Sequence, residues 1–206
     1  MTTYTDLLII FTRNPELGKC KTRLAATVGD GAALAIYKLL LRHTASITRD
    51  LAVQKSVYYS EEIWEEDIWD HKIYTKKLQE GSDLGERMHN AFTLGFEEGY
   101  NKIVIIGSDL YDVNQKDLEQ AFTKLNAHDF VIGPAEDGGY YLLGMRKPNH
   151  TIFQDKQWGT KTVLQATLKN LKGDNYTLLP YKNDVDYYED IKHIKAFHPF
   201  LKHIQE

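Results

Sequence analysis

Four short runs rich in apolar residues constrain most strongly how this chain of 206 residues can fold. They lie at residues 7–11, 52–59, 102–107 and 129–133. A strand that is covered by helices on both faces tends to be continuously apolar, whereas a strand with one wet face alternates between apolar and polar residues. The runs therefore predict buried strands of a mostly parallel sheet.

The segments between these runs have the spacing of amphipathic helices. Apolar residues recur every three or four positions in residues 31–47, 83–99, 115–125 and 160–171, and a last helix is expected to start at Asp186. Strands that alternate with helices are typical of a doubly wound α/β fold, in which helices cover both faces of the sheet. No linker or internal repeat interrupts the pattern, so we expect a single domain over residues 1–206.

Two segments depart from the simple alternation. Residues 137–145, "DGGYYLLGM", combine an Asp-Gly turn signal with an aromatic and aliphatic strand that closely follows the fourth run. We expect this segment to add an antiparallel strand to the second half of the sheet. Residues 61–70, "EEIWEEDIWD", place apolar side chains on one side and acids on the other, which predicts an amphipathic helix packed on the core.

Composition excludes several classes of protein. The formal net charge of -4 argues against a nucleic-acid-binding surface. Cys20 is the only cysteine, so we expect neither a disulfide framework nor a cysteine-based zinc site. No apolar run approaches membrane-spanning length, and the N-terminal residues lack the features of a signal peptide. We therefore expect a cytoplasmic protein without a nucleic-acid partner, whose oligomeric state is open.

A basic loop follows the first predicted strand. It contains four cations and a turn-forming glycine within eleven positions: Arg13, Gly18, Lys19, Lys21 and Arg23. A glycine-containing loop that leads into a helix offers free backbone N–H groups, and the cations would neutralise a di- or triphosphate. The loop is therefore either a phosphate-binding site or a set of solvated cations at a helix start. It lacks the first glycine and the hydroxyl residue of a P-loop.

Three aspartates form the acidic counterpart of this loop. Asp109 and Asp137 follow predicted strands, and ligands of open α/β sheets bind outside the carboxyl ends of strands. Each aspartate also has a structural alternative, because Asp109 could cap a turn and Asp137 begins an Asp-Gly hairpin turn. Asp186 has the spacing of a helix capping box with Glu189. As ligands they would suit Mg²⁺ or Mn²⁺, which usually bind through one or two carboxylates plus substrate phosphates.

Six sequence blocks, in order along nearly the whole chain, resemble one bacterial family. They are "FTRNPELGKCKTRLA", "GSDLGERMHNAF", "VIIGSDLYD", "IGPAEDGGYYLLGM", "QWGTKTVLQAT" and "DVDYYED". Together they resemble small glycosyltransferase-like proteins with the GT-A, nucleotide-diphospho-sugar transferase fold. This family is linked in part to arsenosugar biosynthesis, and it is similar in fold to the guanylyltransferases of phospholactate-type and molybdenum cofactors.

The resemblance implies that the first two blocks bind the nucleotide. By position, Arg13, Lys21 and Arg23 would face the phosphates. Asp83 and Arg87 of "GSDLGERM" would border the nucleotide.

The resemblance also implies a metal site on the third and sixth blocks. Asp109 would be the principal metal-binding acid, and Asp186 would be a second ligand. Tyr111 stands where this family usually has proline. We therefore expect the Asp109 loop to be less rigid than in the family.

The acceptor side would lie on the fourth and fifth blocks. The resemblance places Asp137, Gly138, Gly139 and Tyr140 along it. Trp158 matches the W-G-T block of the family and is either part of the core or a surface on which an acceptor stacks.

These observations lead us to expect a metal-dependent transferase that uses a nucleotide-activated donor. The first form is glycosyl transfer from a nucleoside-diphosphate sugar to a small acceptor, for which Asp137 is the candidate base. An alternative is nucleotidyl transfer, in which an acceptor phosphate attacks a nucleoside triphosphate and releases pyrophosphate. A second alternative is a relative that binds nucleotides without turnover.

Overall fold

The computed structural model describes residues 4–204 and contains one sheet of seven strands. The strands are β1 (Asp6–Thr12), β2 (Gln54–Tyr59), β3 (Thr75–Leu78), β4 (Lys102–Gly107), β5 (Phe130–Pro134), β6 (Tyr140–Met145) and β7 (Tyr176–Leu178). Their order across the sheet is β3-β2-β1-β4-β6-β5-β7. Strand β6 is antiparallel to β4 and β5, and the other neighbouring strands are parallel. The expected mixed sheet is confirmed, including its antiparallel element.

Six α-helices accompany the sheet in the described part of the chain. They are α1 (Thr22–Val28), α2 (Asp30–Thr48), α3 (Leu84–Glu97), α4 (Gln115–Lys124), α5 (Val163–Asn170) and α6 (Tyr188–Ile191). The four internal helices expected from periodicity are present, and their bounds differ by a few residues. The last helix is only one turn long and begins at Tyr188 rather than Asp186.

The helix predicted over residues 61–70 is wrong, because this segment forms bends. Two of its backbone carbonyls bond to a side chain outside the segment instead of to a helical turn. Lys76 Nζ donates to the carbonyl oxygens of Trp64 at 2.5 Å and of Glu65 at 2.9 Å. Trp69 is nevertheless buried in the core, as its apolar side chain demands.

The side chains of β1 explain why the strand sequences are continuously apolar. Leu8 and Ile10 pack into a core shared with α2 and α4. Leu7 and Ile9 point to the opposite face, where α3 and α5 cover the sheet. Both faces are buried, so each position of the strand requires an apolar residue.

A third apolar cluster attaches the C-terminal segment to the start of the chain. Leu24 of α1 and Ile36 of α2 pack with Val185, Ile191 and Phe197. This packing fixes the residues next to Val185 beside the basic loop.

The chain adds strands to the sheet first on one side of β1 and then on the other, and the order reverses between β1 and β4. From β1 the chain continues to β2 and β3 on one side, and it then returns to β4 on the other side of β1. The connections therefore diverge at the carboxyl ends of these two strands and leave a crevice, which is where open α/β sheets bind their ligands. Thr12 ends β1 at this crevice and Gly107 ends β4.

The close packing of α3 on the sheet predicts opposite effects of two glycine substitutions. A Cβ at Gly95 would lie 2.6 Å from Ile103 Cδ1 and 3.0 Å from Leu7 Cδ2, whereas a Cβ at Gly31 of α2 would meet nothing within 4 Å. Gly31→Ala should raise the melting temperature by about 2 to 4 °C, because alanine is the better helix former by roughly 1 kcal/mol. Gly95→Ala should lower it, because overpacking a core costs about 1 to 3 kcal/mol.

Thermal unfolding followed by circular dichroism measures both effects. An equal rise in the two variants would contradict the described contact between α3 and the sheet.

Candidate functional site

A cavity of about 240 Å³ opens at the crevice between the ends of β1 and β4. Its walls are largely apolar and are formed by Phe11, Leu84, Met88, Ile105, Tyr140 and Trp158, among others. Three carboxylates also line it: Asp109, Asp137 and Asp184. The cavity thus combines an apolar body with a few polar groups, as small-molecule sites usually do.

Lys21 connects this cavity to the basic loop. Its ammonium Nζ lies 2.6 Å from Asp109 Oδ2 and 3.2 Å from Asp186 Oδ1. The Lys21 side chain is only 6% exposed, while those of Asp109 and Asp186 are 38% and 30% exposed. Two aspartates that are 77 residues apart in the sequence therefore converge on one buried cation, with their outer surfaces open to a ligand.

The charges in this cluster stabilise one another. Burial alone would lower the pKa of Lys21, but the adjacent Asp109 and Asp186 raise it above the usual range of lysine. Burial would likewise raise the pKa of Asp109, yet Lys21 holds it below its usual value. Lys21 and Asp109 are therefore both charged at neutral pH.

The backbone of Lys21 is strained. Lys21 is the residue before α1 and has φ 51° and ψ 45°. Residues other than glycine rarely adopt this left-handed conformation. Such strain persists where surrounding interactions compensate for it and is common at functional sites. Lys21 combines this backbone conformation with a side chain that makes two ion pairs.

Two arginines of the basic loop complete the cationic side of the site. Arg23 Nη1 lies 2.8 Å from Asp186 Oδ2. Arg13 is exposed, and its positive charge contributes to the lowered pKa of Asp109. The structure thus groups the three predicted phosphate-binding cations around the two predicted metal ligands.

Two other residues of the loop have different surroundings. Lys19 Nζ lies 2.9 Å from Glu16 and 3.4 Å from Glu61 at the surface. Gly18 occupies an exposed turn with φ 76°. The turn-forming role of Gly18 is confirmed by its geometry, and its contact with phosphate stays a prediction.

A buried hydrogen-bond network positions Arg13 and the end of β4. The hydroxyl of Tyr37 donates to the carbonyl of Arg13 at 3.1 Å and accepts from its N–H at 3.0 Å. The same hydroxyl lies 3.2 Å from Ser108 Oγ, which bonds to Thr12 Oγ1 at 3.0 Å. The ends of β1 and β4 are therefore tied together beneath the crevice. The sequence placed Tyr37 within the helix predicted over residues 31–47 and did not indicate this role.

Tyr111 of the Asp109 loop packs against two other rings, and the expected lower rigidity of this loop stays a prediction. The ring of Tyr111 packs 5.2 Å from the ring of His43 and 4.8 Å from that of Phe197, measured between centroids. A Cβ at Gly107 would lie 2.7 Å from Asp109 Oδ1. Because Gly107 has no side chain, the Asp109 carboxylate can occupy this position.

Asp186 does not cap the last helix, so its expected capping box with Glu189 is wrong. The capping carboxylate belongs to Asp190, which accepts the N–H groups of Asp186 at 2.9 Å and Tyr187 at 2.6 Å. The helix begins two residues later than expected, and the Asp186 side chain is thus available to bind Lys21 and Arg23.

The turn between β5 and β6 contains residues that were predicted to line the acceptor side. Asp137 Oδ1 accepts the N–H of Gly139 at 2.7 Å, which fixes the carboxylate at the cavity mouth. Gly138 has φ 91°, and a Cβ there would collide with the carbonyl oxygen of Lys161. Gly139 lines the cavity, whereas Gly138 lets the turn approach the segment before α5.

Tyr140 and Trp158 form the aromatic part of the cavity wall. The indole of Trp158 lies against Gly85 of α3, where a Cβ would be 2.5 Å from Nε1. Trp158 packs on the core and also lines the cavity, and its role as a surface on which an acceptor stacks stays a prediction. Burial raises the pKa of Tyr140 well above its usual range, and the phenol stays protonated.

Asp184 is the cavity residue that sequence reasoning missed. Burial, followed by the nearby charges of Asp137 and Asp186, raises the pKa of Asp184 to about 6. The Asp-x-Asp spacing of Asp184 and Asp186 in "DVDYYED" was the signal that could have identified it.

Asp83 and Arg87 lie on the neighbouring α3 segment. Asp83 Oδ1 accepts the N–H of Glu86 at 2.8 Å and caps the helix. Arg87 Nε donates to the carbonyl of Gly81 at 3.0 Å. Leu84, which follows Asp83, lines the cavity, but the nucleotide contacts of Asp83 and Arg87 stay predictions.

Asp109 and Asp186 fit the expected Mg²⁺ or Mn²⁺ as a pair. Their carboxylates already converge on one cation, and their hard oxygens are the ligands that these ions prefer. No group of three or more histidine, cysteine or acidic side chains in residues 4–204 is arranged to hold a metal. The protein would therefore supply two ligands, and phosphate and water would complete the coordination.

Comparison with protein families identifies the chain. The DUF2064 family, described as "Uncharacterized protein conserved in bacteria", matches residues 40–160, more than half of the sequence. The chain belongs to the DUF2064 family. No curated protein matches it.

Solved structures share this fold over nearly the whole chain. A "putative nucleotide-diphospho-sugar transferase" from Desulfovibrio desulfuricans G20 is 28% identical with a TM-score of 0.85, and the match covers 98% of this chain and 96% of the other. A cytidylyltransferase from Leptospira borgpetersenii is 13% identical, with a TM-score of 0.61 and coverage of 98% and 94%. A 4-diphosphocytidyl-2C-methyl-D-erythritol synthase is also 13% identical, with a TM-score of 0.60 and coverage of 96% and 100%.

The last two similarities demonstrate a common fold. The first similarity, at 28% identity, confirms the nucleotide-diphospho-sugar transferase fold and supports an enzyme of the transferase type. Within residues 4–204, no helix has the length and hydropathy required to span a membrane.

The raised pKa of Asp184 predicts that Asp184→Asn stabilises the protein in a pH-dependent way. An aspartate whose pKa is higher in the folded than in the unfolded chain contributes stability below its unfolded pKa, and this contribution is lost as the pH rises through about 6. Asparagine does not ionise. The variant should therefore melt about 2 °C higher than the wild type at pH 8, after allowance for solvent screening, and at nearly the same temperature at pH 4.

Calorimetric melting from pH 4 to pH 8 measures this difference. Asp174→Asn, at an exposed ion pair with Lys147, provides the matched control and should show no gain at pH 8. A gain for Asp184→Asn that is the same at both pH values would contradict the assignment.

Proposed function

We propose that this protein transfers a glycosyl group from a nucleoside-diphosphate sugar to a hydroxyl group of a small acceptor. The acidic lining of the cavity beside the basic loop carries the proposal. Arg13, Lys21 and Arg23 gather at the basic loop, whereas Asp109, Asp137 and Asp184 line the cavity. Among the described residues, no lysine or arginine lines this cavity.

This charge distribution favours a neutral acceptor over a phosphorylated one. A phosphate group inside the cavity would lie near the carboxylates of Asp137 and Asp184 without a cation on the cavity wall, and like charges in a partly buried site repel strongly. A hydroxyl group is uncharged and can donate a hydrogen bond to a carboxylate. Its attack requires a base, and the exposed Asp137 carboxylate is placed to provide one.

In the proposed reaction, the acceptor oxygen forms a bond to the anomeric carbon of the donor sugar while the bond from that carbon to the diphosphate oxygen breaks. The hydroxyl proton moves to the Asp137 carboxylate. The bonding electrons leave with the diphosphate, and the charges of Arg13, Lys21 and Arg23 stabilise the negative charge that develops there.

A divalent ion held by Asp109 and Asp186 would supply further Lewis-acid stabilisation of the leaving diphosphate. The chain itself contributes orientation and exclusion of water. Tyr140 and Trp158 present aromatic surfaces against which the apolar face of a sugar ring can pack. A cavity wall of this kind also limits hydrolysis of the donor.

Nucleotidyl transfer is the second candidate, and the basic loop is the observation that favours it. Its cations are sufficient in number to neutralise the triphosphate of a nucleoside triphosphate. In that reaction an acceptor phosphate is already ionised and needs no base, so Asp137 separates the two candidates.

The test compares both reactions in the wild type, Asp109→Asn and Asp137→Asn. Sugars linked to UDP, GDP, CDP, ADP and TDP, and the corresponding triphosphates, are assayed with and without Mn²⁺ for release of diphosphate or pyrophosphate. We expect Mn²⁺-dependent diphosphate release that Asp137→Asn lowers by about 10² to 10⁴-fold, the usual effect of losing a general base. Asp109→Asn should abolish it.

The exposed Asp174→Asn variant again provides a control and should retain full turnover. Pyrophosphate release from a triphosphate that is insensitive to Asp137→Asn would contradict glycosyl transfer and favour the nucleotidyl reaction.

A further inference from the structure

We propose that Lys21 is an internal cation that occupies the metal position between Asp109 and Asp186, so that a divalent ion binds there only when the Lys21 ammonium moves to a phosphate group. This inference rests on the proposed function for the identity of the phosphate. Its test uses the metal alone and does not depend on turnover.

The contacts of Asp186 and Asp109 show that the position is already filled. Asp186 Oδ1 bonds to Lys21 and Asp186 Oδ2 bonds to Arg23 at 2.8 Å, so both of its oxygens have a cationic partner. Asp109 Oδ2 makes the 2.6 Å contact with Lys21. A divalent ion that takes the position between the two aspartates must therefore displace the ammonium.

Lys21 differs from the neighbouring arginine in how it can leave. The Arg23 side chain is 53% exposed and would regain water if its ion pair broke, whereas Lys21 is 6% exposed. A nearly buried ammonium that loses both carboxylates without gaining another anion carries a large desolvation penalty. Binding of the metal without phosphate is consequently unfavourable.

A phosphate of the donor removes this penalty. Its oxygens would accept the N–H groups of Lys21, and the carboxylates would become available to the ion. Each ligand then favours the binding of the other, because coupling between two sites is reciprocal. Together with Arg23, Lys21 thereby keeps the two aspartates neutralised in the absence of substrate, and it links metal binding to the arrival of a diphosphate.

Mn²⁺ binding measured by electron paramagnetic resonance, without nucleotide, tests the proposal. The wild type should bind Mn²⁺ weakly, and Lys21→Met should bind it at least 10-fold more tightly, because the competing ammonium is gone. Lys19→Met removes a cation of the same loop that pairs with Glu16 and Glu61, and it should bind like the wild type. Equal affinities of wild type and Lys21→Met would overturn the proposal.

Two further variants separate charge from folding. Lys21→Arg retains a cation and should bind Mn²⁺ about as weakly as the wild type. Asp109→Asn in the Lys21→Met background should remove the gained affinity, since the ion loses a ligand. A gain that survives the loss of the Asp109 carboxylate would place the ion elsewhere and contradict the inference.

Thermal unfolding provides a second readout with inorganic pyrophosphate as the probe. Mn²⁺ and pyrophosphate together should raise the melting temperature of the wild type by more than the sum of their separate effects. In Lys21→Met, Mn²⁺ alone should raise it more than in the wild type, and the excess from pyrophosphate should shrink. An additive response in the wild type would overturn the proposed coupling, whereas an inactive enzyme with these responses would contradict only the glycosyl-transfer assignment.

Discussion

The ion pairs of the Lys21 ammonium with Asp109 and Asp186 hold the candidate site together. They join the loop after β1, the end of β4 and the C-terminal segment, which are far apart in the sequence. Without the ammonium, two carboxylates would face each other in a partly buried position and repel. The backbone of Lys21 has a left-handed conformation, which residues other than glycine rarely adopt.

The rest of the fold serves to bring these groups together. The parallel pairing of β1 with β4 places the basic loop and Asp109 at one edge, and the Tyr37 network fixes the two strand ends relative to each other. The apolar cluster around Val185 carries Asp186 to the same place from the far end of the chain. A rigid scaffold of this kind lets charged groups stay close without a ligand, because packing compensates for their cost.

The predictions from the sequence were most reliable for the strands and helices that local periodicity determines. The buried strands β1 and β4 were evident from continuous apolar runs, and Asp109 and Asp137 followed from their positions after strands. Strands β3 and β7 were missed because "TKKL" and "YTL" are short edge strands that are mostly open to solvent. Residues 61–70 were misassigned because Lys76, which lies outside the segment, donates hydrogen bonds to the carbonyls of Trp64 and Glu65.

The convergence of Asp109 and Asp186 on Lys21 could not be predicted from the spacing of these residues in the sequence. Asp186 is 165 residues away from Lys21, and its local sequence imitates a helix cap. Lys21 was predicted only as a cation for a phosphate, and its contact with the two predicted metal ligands emerged from the tertiary structure. Asp184 was overlooked for a related reason, since its raised pKa depends on burial and on Asp137 across the cavity mouth.

The most direct test of this account is a crystal structure with Mn²⁺ and the nucleoside diphosphate that most stabilises the protein, with the ion located by its anomalous scattering. The account predicts Mn²⁺ bound to Asp109 and Asp186, with the Lys21 ammonium within hydrogen-bond distance of a phosphate oxygen. A structure in which the ammonium remains between the two carboxylates while the nucleotide and the ion bind elsewhere would contradict it.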